Sequence, residues 1–145
     1  KTNLNIVHLL SNKYGSQCIV ASIDVKVNEK KVKEVYVDRG RINIEAKPAQ
    51  WAKYCEKNGA GEIFFNNIDH DGNREGYDLE TINKITKEVK IPLIAFGGVF
   101  SWKHLLEGIE AGADAVAAAN IFHYKEMAIK QAKQYLSRYN IKVRN

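Results

Sequence analysis

The feature that most constrains the fold is a regular alternation of short apolar runs with helical patterns. The apolar runs lie at residues 18–23, 62–68, 91–96 and 114–119. They are nearly continuous rather than alternating with polar residues, which is typical of parallel strands covered on both faces. Helical patterns follow them at residues 46–58, 78–89, 102–111 and 125–139, and another precedes them at 4–14. The sequence therefore predicts an α/β fold of four strand–helix units joined by right-handed crossovers.

One segment interrupts this rhythm directly after the first strand. Valines recur at positions 25, 27, 32, 35 and 37 around a polar stretch at residues 28–30. Alternation on both sides of a polar turn predicts a β-hairpin inserted at this point. Because no linker or low-complexity stretch divides the chain, we expect residues 1–145 to form one domain.

Composition excludes several classes of function. Hydrophobic residues make up 45% and charged residues 27%, as in an ordinary soluble protein, and no apolar stretch is long enough for a membrane span. No signal peptide is apparent, so we expect a cytoplasmic protein. The net charge of +5 comes from dispersed basic residues without a nucleic-acid-binding motif, so we expect no nucleic-acid partner. Cys18 and Cys55 are far apart in apolar patterns, and we expect two buried free thiols.

The first two strand exits carry carboxylates. Parallel barrels place their chemistry where strands end. Asp24 follows the first apolar run, where a partly desolvated carboxylate can act as a general acid or base, although an aspartate that caps a loop would look the same. Asp71 and Gly72 follow the second run, and Gly72 would let the backbone approach an anion closely, or simply form a turn. His70 between acidic residues has no further ligand at metal-binding spacing, so we expect no metal.

The last two strand exits carry small residues. Gly97 and Gly98 stand between the third apolar run and a helix, and Ala119 and Asn120 follow the fourth run. Bare N–H groups before a helix suit a phosphate, and the loops after the last two strands of such barrels often share one phosphate site. The four residues are therefore our candidate phosphate site.

Several motifs together resemble the cyclase subunit family of imidazole glycerol phosphate synthase. They match in order and spacing, and they lie at residues 16–17, 22–26, 59–63, 68–72, 76–78, 97–98, 111–115, 122–123 and 140–144. The resemblance implies the C-terminal (βα)4 half of a TIM (βα)8 barrel. In that family's order these are strands 5 to 8 with their helices, preceded by helix 4.

The resemblance also implies a reaction. The family takes ammonia from a glutaminase partner subunit and joins it to a phosphorylated aminoimidazole carboxamide nucleotide. The products are imidazole glycerol phosphate, for histidine biosynthesis, and an aminoimidazole carboxamide ribonucleotide, and no cofactor is implied. By resemblance, Asp24 falls on a catalytic acid–base position, and Asp71 and Gly72 fall on positions that contact the substrate. Gly97, Gly98, Ala119 and Asn120 fall on the phosphate site, and Glu62 falls on a charged gate for ammonia.

Length and departures from the family pattern leave alternatives open. A complete barrel needs about 250 residues, and this chain has 145. We therefore expect it to require a missing N-terminal half or a second copy and to be inactive alone. The departures leave open a cyclase-like subunit that amidinates a surface-polysaccharide sugar, and a non-catalytic phosphate-binding half-barrel remains a third interpretation. The departing residues are Asn66, Asn67, His70, Phe96, Phe100 and Asn120.

Overall fold

A computed structural model describes residues 5–123 and 126–144. The helices are α1 (Asn5–Tyr14), α2 (Pro48–Lys57), α3 (Leu79–Glu88), α4 (Trp102–Glu110), α5 (Asn120–His123) and α6 (Ala128–Arg138). The strands are β1 (Val20–Val27), β2 (Lys33–Val37), β3 (Ile42–Asn43), β4 (Glu62–Asn67), β5 (Leu93–Phe96) and β6 (Ala115–Val116). A short 3-10 turn, Ser16–Cys18, leads into β1.

The strands form one sheet in the order β3-β2-β1-β4-β5-β6. Neighbours among β1, β4, β5 and β6 pair in parallel. Each of these four strands is followed along the chain by at least one helix before the next parallel strand or the end of the described residues. The predicted α/β half-barrel of four strand–helix units is therefore confirmed.

The inserted hairpin is also confirmed. β1 continues past its parallel partner and pairs antiparallel with β2, with Asp24 opposite Tyr36 and Val27 opposite Lys33. The side chain of Asn28 closes the turn by accepting hydrogen bonds from the backbone N–H groups of Lys30 and Val32. β3, which the sequence pattern did not predict, adds a further short antiparallel strand.

One face of the sheet is fully buried. Ile23, Ile63, Phe65 and Leu93, among others, have no exposed surface and pack against the inner sides of the helices. Along this covered face α2 packs beside α3, α3 beside α4 and α4 beside α6. The amphipathic helices thus place their apolar sides on alternate residues of each strand, and this layer forms the hydrophobic core.

The opposite face, which we call the open face, is only half-buried or exposed. It is formed by the other alternate residues of the strands, namely Val20, Ser22, Asp24, Glu62, Phe64, Asn66, Ile94 and Phe96. Val20 is 52% exposed, and the rings of Phe64 and Phe96 lie 5.4 Å apart. The open face thus mixes apolar with polar residues, and the described helices bury only the other face.

The structure corrects four expectations about local geometry. Cys18 is exposed because it lies in the turn before β1, whereas Cys55 on α2 is buried as expected. Asp24 lies within β1 rather than at its tip, because the strand continues into the hairpin. The glycine pair does not directly precede a helix, since α4 begins at Trp102. β6 covers only two residues of the fourth apolar run. No helix in the described ranges is both long and apolar enough to cross a membrane.

Candidate functional site

A pocket of about 110 Å³ opens between the loops that follow β4, β5 and β6. It contains six of the predicted site residues, which are Asp71, Gly72, Gly97, Gly98, Ala119 and Asn120. Three separate loops supply them, so the sheet topology brings together residues almost 50 positions apart in the chain. The volume is well below the roughly 300–1,000 Å³ of pockets that enclose a drug-sized ligand. The pocket therefore has room for one small group of a ligand.

The two glycines of the β5 loop are required by close backbone packing. Gly97 and Gly98 have φ angles of 106° and 89°, a region that disfavours other residues. A Cβ at Gly97 would lie 2.7 Å from the carbonyl oxygen of Asn67, and one at Gly98 would lie 2.3 Å from that of Gly76. These contacts hold the β5 loop against the β4 loop, and both glycines line the pocket.

Hydrogen bonds join the same two loops. The N–H of Gly76 donates to the carbonyl oxygen of Gly98 over 2.9 Å. His70 Nδ1 lies 2.9 Å from the carbonyl oxygen of Gly76, which requires that this nitrogen carry the proton and donate. His70 therefore has a structural contact within the loop that carries Asp71 and Gly72. By contrast, a Cβ at Gly72 would meet nothing within 4 Å, so that position borders free space.

Asp24 lies beside the pocket and outside its lining. It stands in register with Asn66 on β4, whose Nδ2 donates to Asp24 Oδ1 over 3.0 Å. The other amide atom, Asn66 Oδ1, is buried and has no hydrogen-bond partner among the described residues. A Cβ at Gly97 would lie 3.3 Å from this oxygen. Asn66 thus stands between Asp24 and the glycine loop, and it orients the Asp24 carboxylate on the open face.

Glu62 lies at the other end of β4. It pairs in register with Val20, whereas Asn66 pairs with Asp24. Asn66 follows Glu62 by four positions along the strand, which corresponds to about 13 Å. Phe64 occupies the open face between them. The structure therefore does not place Glu62 with the pocket residues. Glu62 lies on the same face of the sheet as Asp24, at the N-terminal end of β4.

Sequence reasoning missed six residues that line the pocket, and two of them, Arg74 and Phe100, contact each other. Arg74 lines it, and the Arg74 guanidinium carbon lies 4.6 Å from the ring centroid of Phe100, which also lines it. The Arg74 side chain thus reaches from the β4 loop across to the β5 loop. The sequence signals for this contact are a basic residue two positions after Gly72 in a strand exit, and a phenylalanine at position 100 that departs from the family pattern.

A buried polar cluster supports the β4 loop from the covered side. Asp78 caps α3 by accepting from the backbone N–H of Thr81, and it also accepts from Thr81 Oγ1, Asn67 Nδ2 and Lys33 Nζ. Burial alone would raise the pKa of Asp78, but the hydrogen bonds from Lys33 and Thr81 hold that pKa below its usual value. Lys33 comes from the hairpin, so this ion pair ties the hairpin to the segment behind the pocket.

A second contact also fixes the hairpin. Asp69 Oδ2 accepts the backbone N–H of Val27 over 2.7 Å. Two aspartates of the segment after β4, Asp69 and Asp78, therefore bind the hairpin. Asp71, between them, lines the pocket. Across the ranges that the structure describes, no three His, Cys, Asp or Glu side chains group closely enough to hold a metal ion.

Parallel strand–helix units, with a pocket where the carboxyl ends of the strands meet, define a protein of the (βα)-barrel class. Within that class, residues 1–128 match the family described as histidine biosynthesis protein. The chain belongs to this family.

Three curated relatives carry the name imidazole glycerol phosphate synthase subunit HisF. The protein of Clostridium botulinum (strain Langeland / NCTC 10281 / Type F) is 42% identical over 98% of this chain and 57% of its own length. That of Hydrogenobaculum sp. (strain Y04AAS1) is 42% identical with the same coverage. That of Endomicrobium trichonymphae is 43% identical over 97% of this chain and 54% of its own length. The chain thus spans little more than half the length of these relatives.

Proposed function

We propose that this chain supplies half of a cyclase active site of the imidazole glycerol phosphate synthase type. Residues 1–145 would form the C-terminal half of the barrel. The observation that carries the proposal is the pocket, in which six residues chosen from the sequence come together from three loops. The identity to subunits of that enzyme supports the same assignment. The step would be the cyclisation that yields imidazole glycerol phosphate in histidine biosynthesis, in the cytoplasm.

The pocket would hold the phosphate at one end of the substrate. Its volume fits one small group, and its backbone at Gly97 and Gly98 is fixed by packing against the β4 loop. A preformed site loses little conformational freedom on binding, which favours affinity. Asp71 and Gly72 would contact the adjoining part of the substrate, since they form the other wall.

Asp24 would transfer protons at the reacting end. It lies on the open face next to the pocket, and its carboxylate is oriented by Asn66. A general acid or base must be held within hydrogen-bond reach of the atom that it serves. A substrate anchored in the pocket would extend over the open face, where Asp24 is the only acidic residue next to Asn66 in the described strand register.

Ammonia would reach Asp24 from the end of the open face that lies away from the pocket. Glu62 lies at that end, where β4 begins, and a glutaminase subunit bound there would deliver ammonia past Phe64 to the reacting atoms. The open face would have to be covered for this passage to exclude water. We therefore propose that a complementary half-barrel, or a second copy of this chain, covers it.

A turnover assay tests the cyclase proposal. The chain is mixed with the part of the Clostridium botulinum relative that the match leaves out, and imidazole glycerol phosphate formation is followed with ammonium as the nitrogen source. We expect turnover by the mixture, none by the chain alone, and a loss of at least 100-fold in kcat for Asp24→Asn, in line with removal of a general acid or base. Asp38→Asn is the matched control, because Asp38 is exposed and pairs only with Arg41 among the described residues.

The results also separate the alternatives. Turnover that is equal with Asp24→Asn would contradict the role of Asp24. Phosphate binding without turnover in any mixture would favour the non-catalytic half-barrel. An assembled barrel that binds phosphate and is active on a sugar substrate but not on the nucleotide would favour amidination of a surface-polysaccharide sugar.

A further inference from the structure

We propose that Arg74, held in place by the ring of Phe100, gives the pocket its affinity for a phosphate group. The inference rests on the proposed phosphate site and adds a binding residue to it. Among the lining residues that the structure describes, Asp71 carries a negative charge, Arg74 carries a positive one, and the others are neutral.

The charge balance makes Arg74 decisive for an anionic ligand. Without Arg74, the described lining would carry a net negative charge from Asp71, which would repel phosphate. Backbone N–H groups offer only partial charges, whereas an arginine can contact two phosphate oxygens at once through its planar fork. Arg74 therefore offsets the negative charge of Asp71 and adds charged donors to those of the backbone.

Phe100 fixes the orientation of the guanidinium. The two groups lie 4.6 Å apart, within the range of a cation–π contact. A cation–π contact does not use the guanidinium N–H groups as hydrogen-bond donors. No carboxylate of the described residues forms an ion pair with Arg74. The donors are therefore available to a ligand, and the long side chain does not have to be ordered when the ligand binds.

The contact also joins the two walls of the pocket. Arg74 comes from the loop after β4, and Phe100 follows Gly97 and Gly98 in the loop after β5. A ligand bound between these loops would meet the guanidinium on one side and the fixed glycine backbone on the other. Arg74 is thus a binding residue, and Phe100 is a positioning residue that acts through it.

A titration with inorganic phosphate tests the inference on the whole chain. Binding is followed by ¹H–¹⁵N chemical shifts for the wild type, Arg74→Ala, Arg74→Lys and Phe100→Leu. Arg138→Ala is the matched control, since Arg138 is an exposed arginine on α6, outside the pocket. We expect Kd to rise at least about tenfold for Arg74→Ala, equivalent to about 1.4 kcal/mol.

The smaller changes test the role of stacking and shape. Arg74→Lys keeps the charge but loses the planar fork, so we expect a rise in Kd of about threefold. Phe100→Leu keeps Arg74 but loses the ring, and we expect a similar rise. Arg138→Ala should change Kd less than about twofold, because exposed charges more than a Debye length apart are screened. The unchanged spectrum of each variant away from the pocket checks that it is folded.

Two results would overturn the inference in different ways. Phosphate binding that is equal in the wild type and Arg74→Ala, or weakened as much by Arg138→Ala, would overturn the role of Arg74 and leave the proposed phosphate site standing. The absence of phosphate binding by the wild type would overturn both the phosphate site and the inference.

Discussion

The two faces of the sheet are built from neighbouring residues of the same strands and differ in almost every physical respect. On the covered face Ile63 and Phe65 have no exposed surface. On the open face Phe64, between them, is only half-buried, and Val20 is 52% exposed. The described helices therefore form a complete core with one face of the sheet. They do not cover the apolar residues of the other face.

Polar groups show the same contrast. On the covered side Asn67, Asp78 and Thr81 are buried and bonded to one another. On the open side Asn66 Oδ1 is buried without a partner in the described chain. Buried polar atoms without partners are rare in folded proteins, and functional sites are one place where they are kept. Stability therefore comes from the covered face, and the candidate chemistry lies on the open one.

The largest expected effect comes from truncating one ring on each face. Phe65→Ala should lower the free energy of unfolding by about 3–5 kcal/mol, because it leaves a cavity in a close-packed core. Phe64→Ala should lower it by a smaller amount, about 1–2 kcal/mol, because its ring is already partly in water. Urea unfolding of the two variants measures both values, and equal losses would break the distinction between the faces.

A second test compares two glycines of the pocket. Gly98→Ala should cost about 3 kcal/mol, because it combines a positive φ with a clash against the carbonyl oxygen of Gly76. Gly72→Ala should cost about 1 kcal/mol, because it has a positive φ but open space around the Cβ. Thermal unfolding gives the comparison. A mild effect at Gly98 would show that the two loops are not held in contact.

The third test concerns the buried carboxylate behind the pocket. All four groups bonded to Asp78 are donors, so in Asp78→Asn the amide nitrogen must face one of them. We expect a loss of about 2 kcal/mol at pH 7. Glu80→Gln is the control, because Glu80 also pairs with Lys33 but is exposed, and we expect no measurable change.

The pH dependence gives this test its sign. The folded pKa of Asp78 is lowered, so its contribution is fully present above the unfolded pKa of about 3.9 and is lost as the pH falls through the folded pKa. The stability difference between the wild type and Asp78→Asn should therefore shrink below about pH 4. A difference that grows on acidification would contradict the assignment.

The last prediction concerns the reactivity of the two thiols and involves no change in stability. Burial raises the pKa of Cys55 to about 11, whereas Cys18 is exposed. A thiol reagent at pH 8 should therefore modify one thiol per folded chain quickly and the second only on unfolding, because the thiolate is the reactive form. Rapid modification of both thiols would show that the side of α2 that carries Cys55 is not packed into the core.

The parallel strands, the hairpin and half of the pocket lining were predictable from the sequence because each depends on a local pattern. Apolar runs set the strands, valine alternation set the hairpin, and small residues at strand exits indicated the loops. The position of Asp24 within β1 was not predictable, because the hairpin extends that strand through tertiary pairing with β2. The Arg74–Phe100 contact was also missed, since it joins two loops that become neighbours only in the folded sheet.

The role of the open face is tested most directly by light scattering of the chain with the part of the Clostridium botulinum relative that the match leaves out. The chain alone has a mass of 16.4 kDa. We expect a one-to-one complex with the added part, and we expect Phe64→Asp to prevent it while the exposed-surface variant Lys84→Asp does not. A chain that stays monomeric and does not associate with the added part, or a complex that Phe64→Asp leaves intact, would contradict the proposal that the open face is an interior surface completed by a second half-barrel.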